Sequence, residues 1–318
     1  MTLRALSHAD ITASAGLPDL IPVIAAAMRQ VSERRVEMPL RFIVPLQSGA
    51  GFGVMTGAMV GVGHGAKLLT LMRREKGSSH TGALILFDAE SGEPTAIVDS
   101  GLPTAMRTAA ASAVATDAMA RKDAATLAIL GAGEQAEWHI EAMRAVRPIR
   151  DIRVWGRSFD KAAAFAAKYD ARAVASVDEA CDGADIVCTV TSAATPILHA
   201  AQLPAGVHVN AVGASVPSQQ EIAPDCHGVC RTVVDYRPSA ATQAGELIAA
   251  RAAGIVPSGM ELPEIGEVLS GKAPGRASPQ ERTLYRSLGI IAQDLATVNF
   301  LLRRAEATGR GTVLDLYA

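Results

Sequence analysis

A chain of 318 residues, 49% hydrophobic and 19% charged, holds enough apolar material for two ordinary cores. Its net charge of -2, with both signs scattered, gives no basic footprint, which speaks against nucleic acid as a partner and for a small molecule. No apolar run reaches the roughly 18 residues of a membrane span and residues 1–8 lack an apolar signal region, so a cytoplasmic protein with no membrane partner is expected.

Residues 17–31 are predicted as a helix. Five short strands follow, at 40–45, 53–56, 66–70, 83–87 and 95–99, punctuated by glycines and with a Ser-Gly-Glu-Pro turn at 91–94. Strands without intervening helices predict a separate, mostly antiparallel sheet. Residues 104–116 read as a small-residue helix leading out of that sheet. Arg107 is its one large cation and stands near the start, where it opposes the helix macrodipole and calls for an anionic partner. An ordinary salt bridge meets the same need.

A buried strand at 126–130 then turns into a helix through Gly131-Ala132-Gly133-Glu134-Gln135-Ala136. In a G-x-G-x-x-A turn the first glycine allows the sharp bend and the second lets a pyrophosphate approach the backbone. Ala136 lets the helix pack close to the strand. The helix N-terminus presents free N–H groups to the anion. Alone the motif is generic, but a second strand and helix follow at 151–155 and 158–168, then a short helix near 177–180, a strand at 185–190, and strands at 208–212 and 232–234. The repetition predicts an α/β, doubly wound parallel sheet of Rossmann type. After a Pro/Gly-rich loop at 271–279, residues 283–303 read as one long amphipathic helix, long enough to return to the first domain and make it discontinuous. The expected domains are therefore 1–115 with 290–318, and 116–289.

Two further segments bear on ligands. Enzymes that use NAD place an acid after the second strand to take the ribose 2′-hydroxyl, whereas this chain has Gly156-Arg157-Ser158. A guanidinium and a hydroxyl suit a 2′-phosphate, which favours NADP(H) and leaves NAD(H) open; the alternative is an Arg157 that only points into solvent. Cys226-His227-x-x-Cys230 has no second ligand pair to complete a tetrahedron, so the four cysteines read as small buried thiols and no metal is expected.

Seven blocks in order, Gly53-Val54-Met55, Gly65-Ala66-Lys67-Leu68-Leu69, Ser79-His80, Arg107-Thr108-Ala109-Ala110-Ala111-Ser112, Gly131 to Ala136, Asn210-Ala211-Val212-Gly213-Ala214 and Ser287-Leu288-Gly289, resemble the ornithine cyclodeaminase/mu-crystallin family over nearly the whole chain. The resemblance implies a Rossmann domain beside a discontinuous α+β substrate-binding and dimerisation domain, with homodimers joined through the antiparallel strands. It implies NAD(P)-dependent chemistry at an amino- or imino-acid α-carbon. Carried over by position, Arg41, Lys67 and Arg107 are the cations that hold a substrate carboxylate, with Lys67 a proton source for the adjacent nitrogen. Read without the resemblance, Lys67 is a solvated strand lysine. Ser79, Arg107, Thr108, Gln135, Thr191, Val212, Gly213, Ala214 and Leu288 match cofactor contacts, beside Gly131, Gly133, Ala136, Arg157 and Ser158. His80 reads as a hydrogen-bonded histidine at the cofactor's edge rather than as an acid.

Ser215, placed with the substrate, departs from the members that cyclise ornithine, which carry aspartate there to handle the distal amine. A hydroxyl neither holds an ammonium nor acts as a comparable base. The pattern is nearer to the ketimine-reductase members. The expectation is an NADPH-dependent reductase of cyclic imino acids, turning pyrroline-2-carboxylate or piperideine-2-carboxylate into proline or pipecolate by hydride transfer to C=N. Ornithine cyclodeaminase with bound NAD⁺, an alanine-type dehydrogenase and a non-catalytic NADPH-binding protein are the alternatives.

Overall fold

The computed structural model describes residues 2–72 and 80–315. Among these the strands are, in chain order, β1 (Thr2–Leu6), β2 (Val36–Glu37), β3 (Phe42–Pro45), β4 (Gly51–Met59), β5 (Gly63–Leu71), β6 (His80–Phe87), β7 (Pro94–Asp99), β8 (Thr126–Leu130), β9 (Asp151–Trp155), β10 (Arg172–Ala173), β11 (Ile186–Thr189), β12 (His208–Ala211), β13 (Cys230–Val234), β14 (Arg282–Arg286) and β15 (Thr312–Asp315). The chain divides into two compact units, Met1–Arg107 with Ile290–Ala318, and Thr108–Gly289.

In the first unit the sheet runs β15-β1-β7-β6-β5-β4-β2, with β3 also paired to β4. Every pairing is antiparallel except that of β1 with β7. Strand β5 shows the period of two that one buried face requires: Gly63, Gly65, Lys67 and Leu69 are buried, while the residues between them are exposed or half-buried. A lysine thus stands in the inward row. The helix Leu17–Ser32 buries Leu17, Leu20, Ile24, Ala27, Met28 and Val31, the stripe expected of one amphipathic face. It packs against the helix Ile291–Thr308, which lies across β4, β5 and β6. That helix approaches β5 closely because Gly65 has no side chain; a Cβ there would stand 2.9 Å from Leu295 Cδ2.

In the second unit all pairings are parallel, in the order β10-β9-β8-β11-β12-β14-β13. Strands β8 and β11 are apolar and almost wholly buried, as strands covered on both faces must be. Chain order reverses between them, and a doubly wound sheet binds its ligand in the crevice at the carboxyl ends of such a pair. This is the Rossmann-type α/β sheet expected above.

Three expectations change. Residues 283–303 are not one helix: Arg282–Arg286 is β14, paired on both sides, and the helix begins at Ile291. A short apolar run fits a buried strand as well as a helix. The break is Gly289 at φ +76°, where the N–H groups of Leu288 and Gly289 donate to the Asp235 carboxylate at 2.6 and 2.8 Å instead of to helical carbonyls. The compact units divide at 107/108, where 115/116 was expected, and Ser112 bonds His139 of the second unit. The helix around Arg107 spans Gly101–Met119, so Arg107 lies in its second turn and the conflict with the macrodipole disappears. Among the described residues no single helix is long and apolar enough to cross a membrane.

Candidate active site

Lys67 is 2% exposed and belongs to the inward row of β5. Its ammonium donates to Thr104 Oγ1 at 2.6 Å and to Asp294 Oδ1 at 3.1 Å. Arg107 Nε donates to the same Asp294 oxygen at 3.1 Å, and its Nη1 to Gln293 Oε1 at 3.0 Å. The Gln293 amide nitrogen meets Met28 Sδ at 3.4 Å. Asp294 therefore supplies the anion that Arg107 was expected to need.

Two cations share one carboxylate here, and half-buried Arg41 adds a third positive charge that acts on Lys67. Burial lowers the Lys67 pKa to about 8; Asp294 pulls it up, and Arg107 and Arg41 push it down. The Lys67–Asp294–Arg107 group carries one net positive charge away from water. Such an excess is costly unless an anion offsets it, which suits the site to a substrate carboxylate. The sequence reading missed Asp294. Its signal was an acid among the apolar residues of 290–302, a placement that demands a cationic partner.

The second unit holds the glycine turn. Gly131 has φ +137°, its N–H donates to the Trp155 carbonyl at 2.8 Å, and a Cβ would stand 2.7 Å from the Val190 carbonyl oxygen. Gly133 precedes the helix Glu134–Val146, no side-chain hydrogen bond caps that helix, and nothing lies within 4 Å of where a Gly133 Cβ would be. Open space over an uncapped helix N-terminus fits a dinucleotide pyrophosphate. Gln135 Oε1 is buried with no hydrogen-bond partner among the described residues. Behind the turn, buried His139 bonds the Gln135 carbonyl at 2.7 Å and Ser112 Oγ at 2.9 Å.

The other predicted contacts are placed as follows. Ala136, Thr108, Val212, Ala214 and Leu288 are buried, and Gly213, Thr191 and Ser215 half-buried. Thr191 Oγ1 donates to Glu221 Oε1 at 2.7 Å, a carboxylate that sequence reasoning did not single out and whose loop offers no pattern to flag it. Arg157 and Ser158 are exposed after β9; Ser158 Oγ also caps the helix Phe159–Ala166 by accepting from Lys161 N–H at 3.4 Å. Ser79 lies outside the described residues. Cys181, Cys188, Cys226 and Cys230 are free, with burial pushing their thiols up. Among the described residues no three His, Cys, Asp or Glu side chains converge as a metal set.

Comparison with known proteins accords with this arrangement. The sequence model of the ornithine cyclodeaminase/mu-crystallin family matches residues 4–309. The chain belongs to that family. It is 33% identical over 311 residues to the Δ1-pyrroline-2-carboxylate reductase of Bacillus cereus, covering 93% of this chain and 95% of that protein. To the ketimine reductase mu-crystallin of Mus musculus it is 34% identical over 293 residues, 89% of this chain and 90% of the other. Among solved structures, the Thermococcus litoralis Δ1-pyrroline-2-carboxylate reductase in complex with NADH and L-proline superposes with a TM-score of 0.93 at 26% identity, over 97% of this chain and 99% of that one.

Proposed function

We propose that the protein is an NADPH-dependent reductase of cyclic imino acids, acting on pyrroline-2-carboxylate or piperideine-2-carboxylate. An oxidoreductase acting on a C=N bond is the class carried by its relatives' names. The observation that carries the reading is the buried Lys67–Asp294–Arg107 group. Arg107 offers a planar fork that fixes the plane of an α-carboxylate beside C=N, and Arg41 adds charge. Lys67 Nζ, with a pKa near 8, holds a proton at neutral pH that it can pass to the ring nitrogen. When bound, a nicotinamide dinucleotide supplies the hydride to the imine carbon. Gly131, Gly133 and the uncapped helix start would hold its pyrophosphate, and Arg157 with Ser158 a ribose 2′-phosphate. The exposed apolar residues Phe42, Ile43 and Val44 of β3 support a homodimer, which sedimentation checks.

The test is a panel of cyclic imino acids assayed for NADPH oxidation, with NADH in parallel. Turnover of a five- or six-membered ring substrate with NADPH preferred is the expected result. Proline and ammonia formed from ornithine with only catalytic NAD⁺ would overturn the reading in favour of a cyclodeaminase. Binding of NADPH without oxidation by any imine would leave a binding protein.

A further inference from the structure

Two buried charges of opposite sign hold the segment that follows β12. Glu221, 2% exposed, accepts from the N–H groups of Gly213 and Ala214, the latter at 3.2 Å. The same carboxylate accepts from the N–H and hydroxyl of Thr191 and from Thr189 Oγ1 at 2.9 Å. Arg286, 1% exposed and paired with buried Glu246, donates to the carbonyls of Ala211 at 3.2 Å and Ala214 at 2.7 Å. The N–H side of the segment is thus tied to an anion and its C=O side to a cation. Glu221 joins the loops after β11 and β12, beside the N–H groups of Val212 and Gly213 that donate to the Thr189 carbonyl, and the first of these loops abuts the glycine turn through the Val190 carbonyl.

A carboxylate suits this place and its isosteric amide does not. Five donors converge on two oxygens with about four lone-pair sites. Glutamine would keep one acceptor oxygen and set an NH₂ against backbone N–H groups. A buried carboxylate is stable only when its partners are this complete, so the loops are held as one piece rather than loosely linked.

We propose that Glu221 is a positioning residue that fixes the nicotinamide-side wall of the cofactor site through Thr191 and the 213–214 backbone, since β11 and β12 lie across β8 from β9, after which Arg157 would take the adenosine ribose phosphate. This rests on the nicotinamide-cofactor reading above. Glu221 touches no reacting atom; it holds the loops that do the touching. Because no bond of Glu221 reaches the pyrophosphate turn or Arg157, its effect falls mainly on the nicotinamide half of the ligand.

The experiment measures dissociation constants of Glu221→Gln for NADPH and NADH and for the matching adenosine halves, which lack nicotinamide. The expected result is dinucleotide binding weakened about tenfold, with the adenosine halves held within about twofold and kcat lowered more than KM for the imine is raised. Should Glu221→Gln fail to fold, Thr189→Val removes one hydroxyl donor to Glu221 at almost constant shape. It should weaken the dinucleotide about threefold and leave the adenosine half alone. Equal weakening of whole and half ligands, or no change in either, overturns the assignment while wild-type binding leaves the cofactor reading standing. A wild-type protein that binds neither dinucleotide removes both.

Discussion

Lys67 and Asp294 are 227 positions apart in sequence, and Lys67 Nζ stands 3.1 Å from Asp294 Oδ1 with both side chains out of water. Burial moves the ammonium toward a working pKa, and the carboxylate keeps it from falling further. If Lys67 is the proton donor, imine reduction is level below about pH 8 and declines as pH rises through that value, because the protonated amine is lost. Asp294→Asn removes the largest influence that raises this pKa, so the decline should begin at least about one pH unit lower. Lys67→Ala should cut kcat about a hundredfold or more. A pH profile of kcat measures both, and an unchanged kcat for Lys67→Ala at saturating substrate removes it from the chemistry.

Arg107 and Lys67 differ in what they offer an anion. The guanidinium already spends Nε and Nη1 on Asp294 and Gln293 and is held rigid by them. Arg107→Lys keeps the charge but loses the planar fork, so KM for the imino acid should rise about tenfold or more with a smaller loss in kcat. Initial-rate kinetics decide this; an unaltered KM would place the carboxylate elsewhere.

The proposed preference for NADPH rests on the position after β9. Arg157 is exposed there, beside the hydroxyl of Ser158, which already caps the following helix. Arg157→Ala should weaken NADPH about tenfold and leave NADH almost unchanged, while Ser158→Ala should cost helix stability as well. Parallel titrations with the two cofactors check it, and equal loss for both would show that Arg157 does not read the phosphate.

Much of the fold was legible because it rests on local signals. The G-x-G-x-x-A turn, the apolar run of β8, the alternation of β9 and the glycine-punctuated strands each declare themselves within a few residues. β14 did not, since its five residues come shortly before a real helix and only pairing on both sides makes them a strand. The cations of the site came from a family resemblance, but their partners did not. Asp294 and Glu221 act through tertiary contacts, and no spacing in sequence announces which buried donors will converge on a carboxylate.

Three histidines predict the response to acid. Burial lowers His139 to about 4 and His208 and His227 to about 3, against an ordinary value of 6.5. The unfolded chain takes up protons on these residues below about pH 6.5, whereas the native protein does not until the lowered values are reached. Their contribution is therefore fully present above pH 6.5 and is lost as pH falls, at about 1.4 kcal/mol per pH unit for each histidine. Urea unfolding at stepped pH measures the slope. By NMR, His139, His208 and His227 should stay neutral in the native protein at pH 5.

The two glycines of the turn separate folding from ligand binding. Gly131 adopts φ +137°, and a Cβ there would press on the Val190 carbonyl, so Gly131→Ala strains the backbone and crowds the neighbouring loop. It should lower stability by about 1–3 kcal/mol whether or not cofactor is present. Gly133 has φ -109°, which any residue adopts, and open space where its Cβ would be. Gly133→Ala should fold with unchanged stability and still lose dinucleotide affinity about tenfold or more, because the methyl group fills the space a phosphate would use. Thermal melts with and without NADPH distinguish the two. If Gly133→Ala binds NADPH as tightly as the wild-type protein, the pyrophosphate does not approach at this turn.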